Sequence, residues 1–359
     1  MHTSALWVLG LALLLGGAEI LLRAATRLAA LSGMRPIIIG LAVVALGTSA
    51  PELAIALTAA SEARTELVVG NIVGTNIFNL SFILGMSALL YPLSLHSLSL
   101  RFDLPVILGS SLMLLGLSLD GALSGLDGLM LLAVGLVYTL IRIDLGRRES
   151  RATRRAYIAE FGKTATGIPP RGLKQHRFKE LARQLTLLVI GIILLFIGAE
   201  WLLESSIRLA RSIGVTETVI GLTVLAIGTS LPELATTLIA TWRGERDVAI
   251  GNLMGSSLYN VLAILALASL AAESSLIVDR EILQRDLPVM IGISLVCLLA
   301  FFGKHTLSRP EGALLVLSAV LYTGLLASGV SMAPLKAGIP HSITAPTANT
   351  TACSARAAS

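Results

Sequence analysis

Apolar residues run along this chain in blocks of roughly spanning length, separated by short polar punctuation. Ten blocks can be read, at about 5–22, 37–60, 67–91, 104–119, 125–142, 185–203, 219–242, 248–271, 286–303 and 310–328. A helix needs about 20 mostly apolar residues to cross the hydrocarbon core of a bilayer. The pattern therefore predicts an all-α membrane protein with ten transmembrane helices. Nothing after the block at 5–22 has the form of a small-residue cleavage site leading into a polar mature domain, so that block reads as the first span. Residues 143–184 form a polar, arginine-rich linker containing Pro169-Pro170. Residues 329–359 are small, polar and proline-dotted without a period, the composition of a disordered tail.

The blocks repeat. A shift of 181 residues brings Gly47-Thr48-Ser49-Ala50-Pro51-Glu52 onto Gly228-Thr229-Ser230-Leu231-Pro232-Glu233, and Asn79 onto Asn260. Between 40–79 and 221–260, 17 of 40 positions are identical, and Gly17-Ala18-Glu19 matches Gly198-Ala199-Glu200. Each copy holds five blocks, at 1–142 and 185–328. An odd number of crossings turns the second copy over, so the reading is two inverted five-helix repeats, a common basis of secondary transporters.

Composition agrees with lipid as the main solvent. The chain is 55% hydrophobic and 14% charged, with mean hydropathy +0.84, against about 25% charge in soluble domains. The net charge of +5 does not point to nucleic acid, because the basic residues cluster between spans and report orientation instead. With the amino terminus outside, 20 of the 27 lysines and arginines fall on the inside, 12 of them in 142–184. The expected arrangement is a bacterial-type inner (cytoplasmic) membrane protein with both termini outside. Cys297 and Cys353 have neither a disulfide framework nor metal-ligand spacing. None of the five histidines lies deep in a predicted span, and no phosphate-binding glycine loop is present. An enzyme or a nucleotide-driven pump therefore lacks its parts, and no cofactor or protein partner is expected.

The chemistry sits in the second and third blocks of each copy. Proline inside a helix removes a hydrogen bond and disrupts the turn before it, so the span should break near Thr48 and near Thr229. Broken helices at membrane depth present carbonyl oxygens to a cavity. Glu52 and Glu233 add carboxylates, and a charge there costs at least ~2.5–3.5 kcal/mol on insertion scales, which makes it a functional candidate. Ser49-x-x-Glu52 and Ser230-x-x-Glu233 also match the capping box that starts a helix. Mid-span and doubled, such a box would open the second half of a broken span at the site itself. In the next block, Thr75, Ser256, Asn79 and Asn260 offer neutral oxygens. Asn71, Asn252, Asn76 and Ser257 suit an ion or an interhelical hydrogen bond equally. Glu19 and Glu200 approach opposite faces, as ion entrances or as interfacial carboxylates. Asp103 and Asp286, each followed by Leu-Pro, read as helix caps.

The doubled motifs, Gly-Thr-Ser-Ala-Pro-Glu (47–52) with Gly-Asn-Ile-Val-Gly-Thr-Asn-Ile-Phe-Asn (70–79) and their copies at 228–233 and 251–260, resemble the alpha repeats of the calcium/cation antiporter superfamily. They are especially similar to bacterial calcium/sodium antiporters of the sodium/calcium exchanger family, over essentially residues 5–328. The resemblance implies that Glu52, Glu233, Thr48, Thr229, Ser49, Ser230, Thr75, Ser256, Asn79 and Asn260 line a cation site, with backbone oxygens near Ala45 and Ala226. It also implies that spans one and six slide across the other eight to switch access. Asn260 stands where some relatives carry aspartate, and Ser257 where asparagine is expected. The function expected is exchange of Ca2+ for Na+ by alternating access. The alternatives are coupling to H+ or K+, and, from another class, a cation channel or a non-transporting divalent sensor. Two glutamates give a site of charge about −2, which one Ca2+ or two Na+ would neutralise, and oxygen ligands suit both hard cations.

Overall fold

The computed structural model describes residues 3–32, 34, 36–62, 64–94, 102–148, 174–214, 226–304 and 306–327. Most of the predicted linker, the start of the predicted seventh span with Gly221-Leu222, and all of the predicted tail lie outside them. Every predicted apolar block coincides with helix where it is described. In chain order these are α1 (Thr3–Ser32), α2 (Pro36–Thr48), α3 (Ala50–Ser61), α4 (Thr65–Leu90), α5 (Leu104–Leu117), α6 (Gly125–Arg148), α7 (Lys174–Ser212), α8 (Ala226–Thr229), α9 (Leu231–Trp242), α10 (Arg246–Ala271), α11 (Leu287–Lys304) and α12 (Arg309–Ala327). Among the described residues seven helices are long and apolar enough to cross a membrane, or eight if the bent pair α2–α3 counts as one span. The fourth predicted span, α5, has 14 residues and falls short of that length.

Two helices extend well past the apolar blocks that predict them. The 30 residues of α1 and the 39 of α7 correspond to about 45 and 58 Å at 1.5 Å per residue. Residues 143–148 and 174–184, read from sequence as linker, continue α6 and begin α7 as helix. Hydropathy marks only the apolar part of a helix, while backbone hydrogen bonding continues it through the polar residues beyond.

The α1–α7 pair is held by glycines. A Cβ at Gly10 would lie 2.7 Å from Leu202 N, and one at Gly17 would lie 2.6 Å from Leu195 N. From the other side, a Cβ at Gly191 would lie 2.7 Å from Leu21 N, and one at Gly198 would collide with Leu14 N. Ascending positions on α1 thus meet descending positions on α7, so the two helices run antiparallel with their backbones in contact. Hydrocarbon provides no hydrophobic drive for helix association, so close packing over small residues does that work. Buried apolar side chains form two clusters. One joins α1 and α7 with parts of α2, α9 and α10; the larger joins the remaining helices.

Two short antiparallel strand pairs tie the halves together at their loops. Leu93–Ser94 (β1) pairs with Thr306–Leu307 (β4), and Ala122–Leu123 (β2) with Leu276–Ile277 (β3). Each pair takes one strand from each half.

The glycine seam makes a direct prediction. Gly198→Val inserts a side chain against backbone that cannot move aside, which is expected to cost at least the ~1–3 kcal/mol typical of overpacking. Gly16→Val, whose Cβ has no neighbouring atom within 4 Å, should be neutral. Thermal unfolding of the purified variants in detergent checks this, and equal melting temperatures would remove the seam from the stability argument.

Candidate cation site

The second span breaks beside Thr48, as its proline predicts. Ser49, at φ −85° and ψ 11°, separates α2 from α3, and the two segments bend by 45°. Ser230, at φ −89° and ψ 6°, separates α8 from α9. Pro51 and Pro232 lie in the first turn after each break. Each lacks the N–H that would bond four residues back, and its ring crowds that carbonyl. The peptide before the serine keeps its helical bond, since Ser49 N donates to Ala45 O at 2.9 Å. The kink therefore falls at the serine.

Neither serine caps its helix through its side chain. The capping-box reading is thereby corrected. Ser49 Oγ instead donates across the halves to Glu233 Oε1 at 3.1 Å. Glu52 and Glu233 occupy the first turns of α3 and α9, both fully buried. In a water-excluded interior a hydroxyl delivers more to a carboxylate than to a helix end that other bonds already satisfy.

Thr75 and Asn79 lie on α4, and Ser256 and Asn260 on α10, all buried. A single turn widens to a π-helix at Asn79–Ile83 and again at Asn260–Leu265. Such turns interrupt the α ladder and recur at functional sites. The π-turn of α4 packs against α9, which carries Glu233, while that of α10 packs against α3, which carries Glu52. Thr48 ends α2 and is buried; Thr229 ends α8 and is half-buried. Ala45 is buried within α2, and Ala226 opens α8.

The polar atoms here are divided into two groups. Some are satisfied. Asn76 Nδ2 donates to Ser257 O at 3.0 Å, Asn260 Nδ2 donates to Asn76 Oδ1 at 3.1 Å, and Thr48 Oγ1 donates to Asn252 Oδ1 at 3.2 Å. Others are buried with no hydrogen-bond partner: both oxygens of Glu52, Glu233 Oε2, Asn79 Oδ1, Asn260 Oδ1, Ser230 Oγ and Ser256 Oγ. Buried polar atoms are ordinarily paired, because leaving one unpaired costs about 1–3 kcal/mol and more for a charge. These unpaired oxygens all belong to residues singled out in the sequence. They are hard donors from two carboxylates, two amides and two hydroxyls. Among the described residues no group of three or more His, Cys, Asp or Glu could hold a metal, so the set suits a hard cation shared with neutral oxygens.

Other expectations are revised. Asp103 and Asp286 are not side-chain caps. Asp103 accepts from Tyr138 Oη at 3.0 Å and pairs with Arg142 Nε at 3.0 Å, joining α5 to α6 in the interior. Asp286 accepts from Tyr322 Oη at 2.9 Å and from Arg285 Nε at 2.6 Å. Glu19 is ion-paired with Arg23 at 2.6 Å and with Arg243, whereas Glu200 is exposed. Sequence reasoning passed over Thr236 and Thr237, to which Asn252 Nδ2 donates at 3.0 and 3.1 Å. Their signal was a difference between the copies: Ile55 and Ala56 occupy the matched positions.

A family model described as "Sodium/calcium exchanger protein" matches residues 2–143 and 183–327. The chain is 33% identical over 328 residues to the inner membrane protein YrbG of Escherichia coli, covering 90% of this chain and 96% of that protein. It is 30% identical over 340 residues to the sodium/calcium exchanger MaX1 of Methanosarcina acetivorans, covering 89% and 97%. A solved structure of the sodium-calcium exchanger NCX_Mj superposes with TM-score 0.74 at 25% identity, over 90% of this chain and 98% of that one.

A cation that supplies the missing partners should stabilise the fold, by about 2.7 kcal/mol at a hundred times its Kd. Ca2+ is expected to raise the unfolding temperature of the purified protein. Glu52→Gln and Glu233→Gln should each unfold cooperatively yet lose most of that rise. A full rise in both variants would place binding elsewhere.

Proposed function

This chain belongs to the sodium/calcium exchanger protein family, and from that footing we propose that it is a secondary antiporter exchanging Ca2+ for Na+ by alternating access. The observation that carries the reading is the set of unpaired buried oxygens on Glu52, Glu233, Ser230, Ser256, Asn79 and Asn260. In this proposal Thr48, Thr229, Ser49 and Thr75 complete the ligand set, with the carbonyls of Ala45 and Ala226. The likeness to MaX1, named a sodium/calcium exchanger, supports the choice of ions.

The wider architecture follows the same proposal. Ten transmembrane helices form two inverted five-helix repeats, at 1–142 and 185–328, joined by a cytoplasmic linker at 143–184 and followed by a tail at 329–359. The antiparallel contact of the matched helices α1 and α7 supports the inversion. The backbone contact along their glycine seam supports their moving as one body. Both termini lie outside.

Charge sets the mechanism. Two ionised glutamates in hydrocarbon resist crossing as a bare pair. One Ca2+ or two Na+ neutralises them, and either loaded form can switch access. A third Na+ would carry one net positive charge. Because the empty site is held back, each ion leaves only in exchange for the other, and the protein needs no cofactor.

Calcium uptake into proteoliposomes tests the coupling. An outward-directed Na+ gradient should drive Ca2+ entry with the proton gradient collapsed by an uncoupler and the membrane potential clamped. Glu52→Gln and Glu233→Gln should abolish it. Uptake that fails under the uncoupler but follows an imposed pH gradient in its absence would make proton coupling the better reading. Flux indifferent to any counter-ion would favour a channel.

A further inference from the structure

The amide of Asn252 is held in one orientation. Thr236 Oγ1 donates to Pro232 O at 2.7 Å and lies 3.1 Å from Glu233 O. A hydroxyl has one hydrogen, so towards Asn252 it acts as acceptor. Asn252 Nδ2 donates to it at 3.0 Å and to Thr237 Oγ1 at 3.1 Å. Oδ1 is thereby turned to Thr48, whose hydroxyl donates to it at 3.2 Å. The same hydroxyl lies 3.3 Å from Ala45 O, which already accepts Ser49 N–H at 2.9 Å. A carbonyl has two lone pairs. With Oδ1 facing Thr48, the hydroxyl hydrogen has a place to go other than the second lone pair of Ala45. With the amide reversed, Nδ2 would donate to Thr48 and leave that hydrogen to Ala45 O or to the Glu233 carboxylate, each an oxygen of the proposed site.

The first half lacks this device. Ile55 and Ala56 stand where Thr236 and Thr237 do, and Nδ2 of the matched Asn71 has no hydrogen-bond partner. We propose that Thr236 and Thr237 are positioning residues for the cation site, which fix the Asn252 amide and so leave the Ala45 carbonyl available to a cation in one half of the site only. This rests on the proposed site, and the assay separates the two ideas.

In proteoliposomes, Thr236→Val should raise the half-saturating concentration of Na+, Ca2+ or both by about fivefold or more, the size expected when a neutral hydrogen bond stops orienting a ligand. The maximal rate should stay near the parent value. Thr237→Val should shift it less, in the same direction, and serves if Thr236→Val does not fold. Thr236→Ser keeps the hydroxyl and should restore parent values. Half-saturation unchanged in both valine variants, or shifted equally by serine, would overturn the proposal while leaving the site intact. Parent-like transport by Glu52→Gln in the same assay would instead overturn the site.

A separate asymmetry lies at the membrane faces. Glu19 of α1 pairs with Arg23 at 2.6 Å and with Arg243 of the α9–α10 loop, and Thr26 Oγ1 donates to Glu245 Oε2 at 2.5 Å. Here α1 lies along α9, whereas the matched approach of α7 to α3 is at most glancing. The positions matching Glu19, Arg23, Thr26, Arg243 and Glu245 are Glu200, Glu204, Ile207, Glu62 and Arg64. Glu204 pairs with Arg208 and Glu62 with Arg64, each within its own segment. Closing that face the same way would bring Glu200 to Glu62, two like charges. We infer that Glu19, Arg243, Thr26 and Glu245 form a latch that holds one face closed, and that the matched positions of the other half, among the described residues, form no such latch, so the resting protein is biased to one access state.

This second inference rests on alternating access. Spin labels at Ala30→Cys and Trp242→Cys, flanking the latch, should give a single short distance in the otherwise unchanged protein without cation. Arg243→Glu should add a longer population, and Glu62→Arg, which supplies the missing partner for Glu200, should add one too. Distances that respond to cations but to neither charge change would overturn the latch. Distances that no cation and no variant alters would overturn alternating access itself.

Discussion

A carboxylate held in hydrocarbon is expensive, and this fold holds two, Glu52 and Glu233, fully buried on facing half-helices. Much of the surrounding structure can be understood as making that tolerable. Two spans are broken at Ser49 and Ser230 so that each glutamate sits in the first turn of a new helix, where the helix dipole favours negative charge. Neutral oxygens from α4 and α10 are gathered beside them at π-turns. Even so, several oxygens remain unpaired. In the proposed function a cation completes the account, and the ion that stabilises the site would also decide when it can move.

Bringing four half-helices and two flanking helices to one point requires backbones to approach closely. Gly251 and Gly255 let α10 press against α2, where added Cβ atoms would lie 2.4 Å from the carbonyls of Ile37 and Leu41. The α1–α7 seam repeats the device on the outside of the site. The same small residues that let helices pack tightly in lipid also leave smooth faces. A pair joined to itself by backbone contact over glycines, and to the rest by apolar contacts and the few polar links of Glu19 and Thr26, is suited to the movement proposed for it.

The copies have diverged where identity of function does not require identity of residue. Asn252 is saturated with hydrogen bonds and Asn71 is not. One face carries complementary charges between α1 and the α9–α10 loop, while the matched positions carry mostly acids. Under the proposed alternating access, a repeat that had remained symmetric would treat its two access states alike, and these differences would give the two states separate energies.

The sequence by itself determined the helical class, the apolar blocks, the duplication and the residues of the candidate site. Each of these follows from local periodicity, from the breaking power of proline, or from the rarity of charge in an apolar run. Several of those residues, Glu52, Glu233, Asn79, Asn260, Ser230 and Ser256 among them, carry buried oxygens with no hydrogen-bond partner. Tertiary structure alone decided which polar groups meet. Ser49 was legible as a cap, yet its hydroxyl reaches Glu233, 184 residues away. Asp103 and Asp286 stood at helix starts, yet they bind tyrosines on neighbouring helices. The partners of Asn252 were visible only as places where the copies differ. A hydroxyl, amide or carboxylate carries no record in the sequence of its partner across the interior. Its choice is made by which helices pack together, and in lipid the nearest available group wins because no water competes.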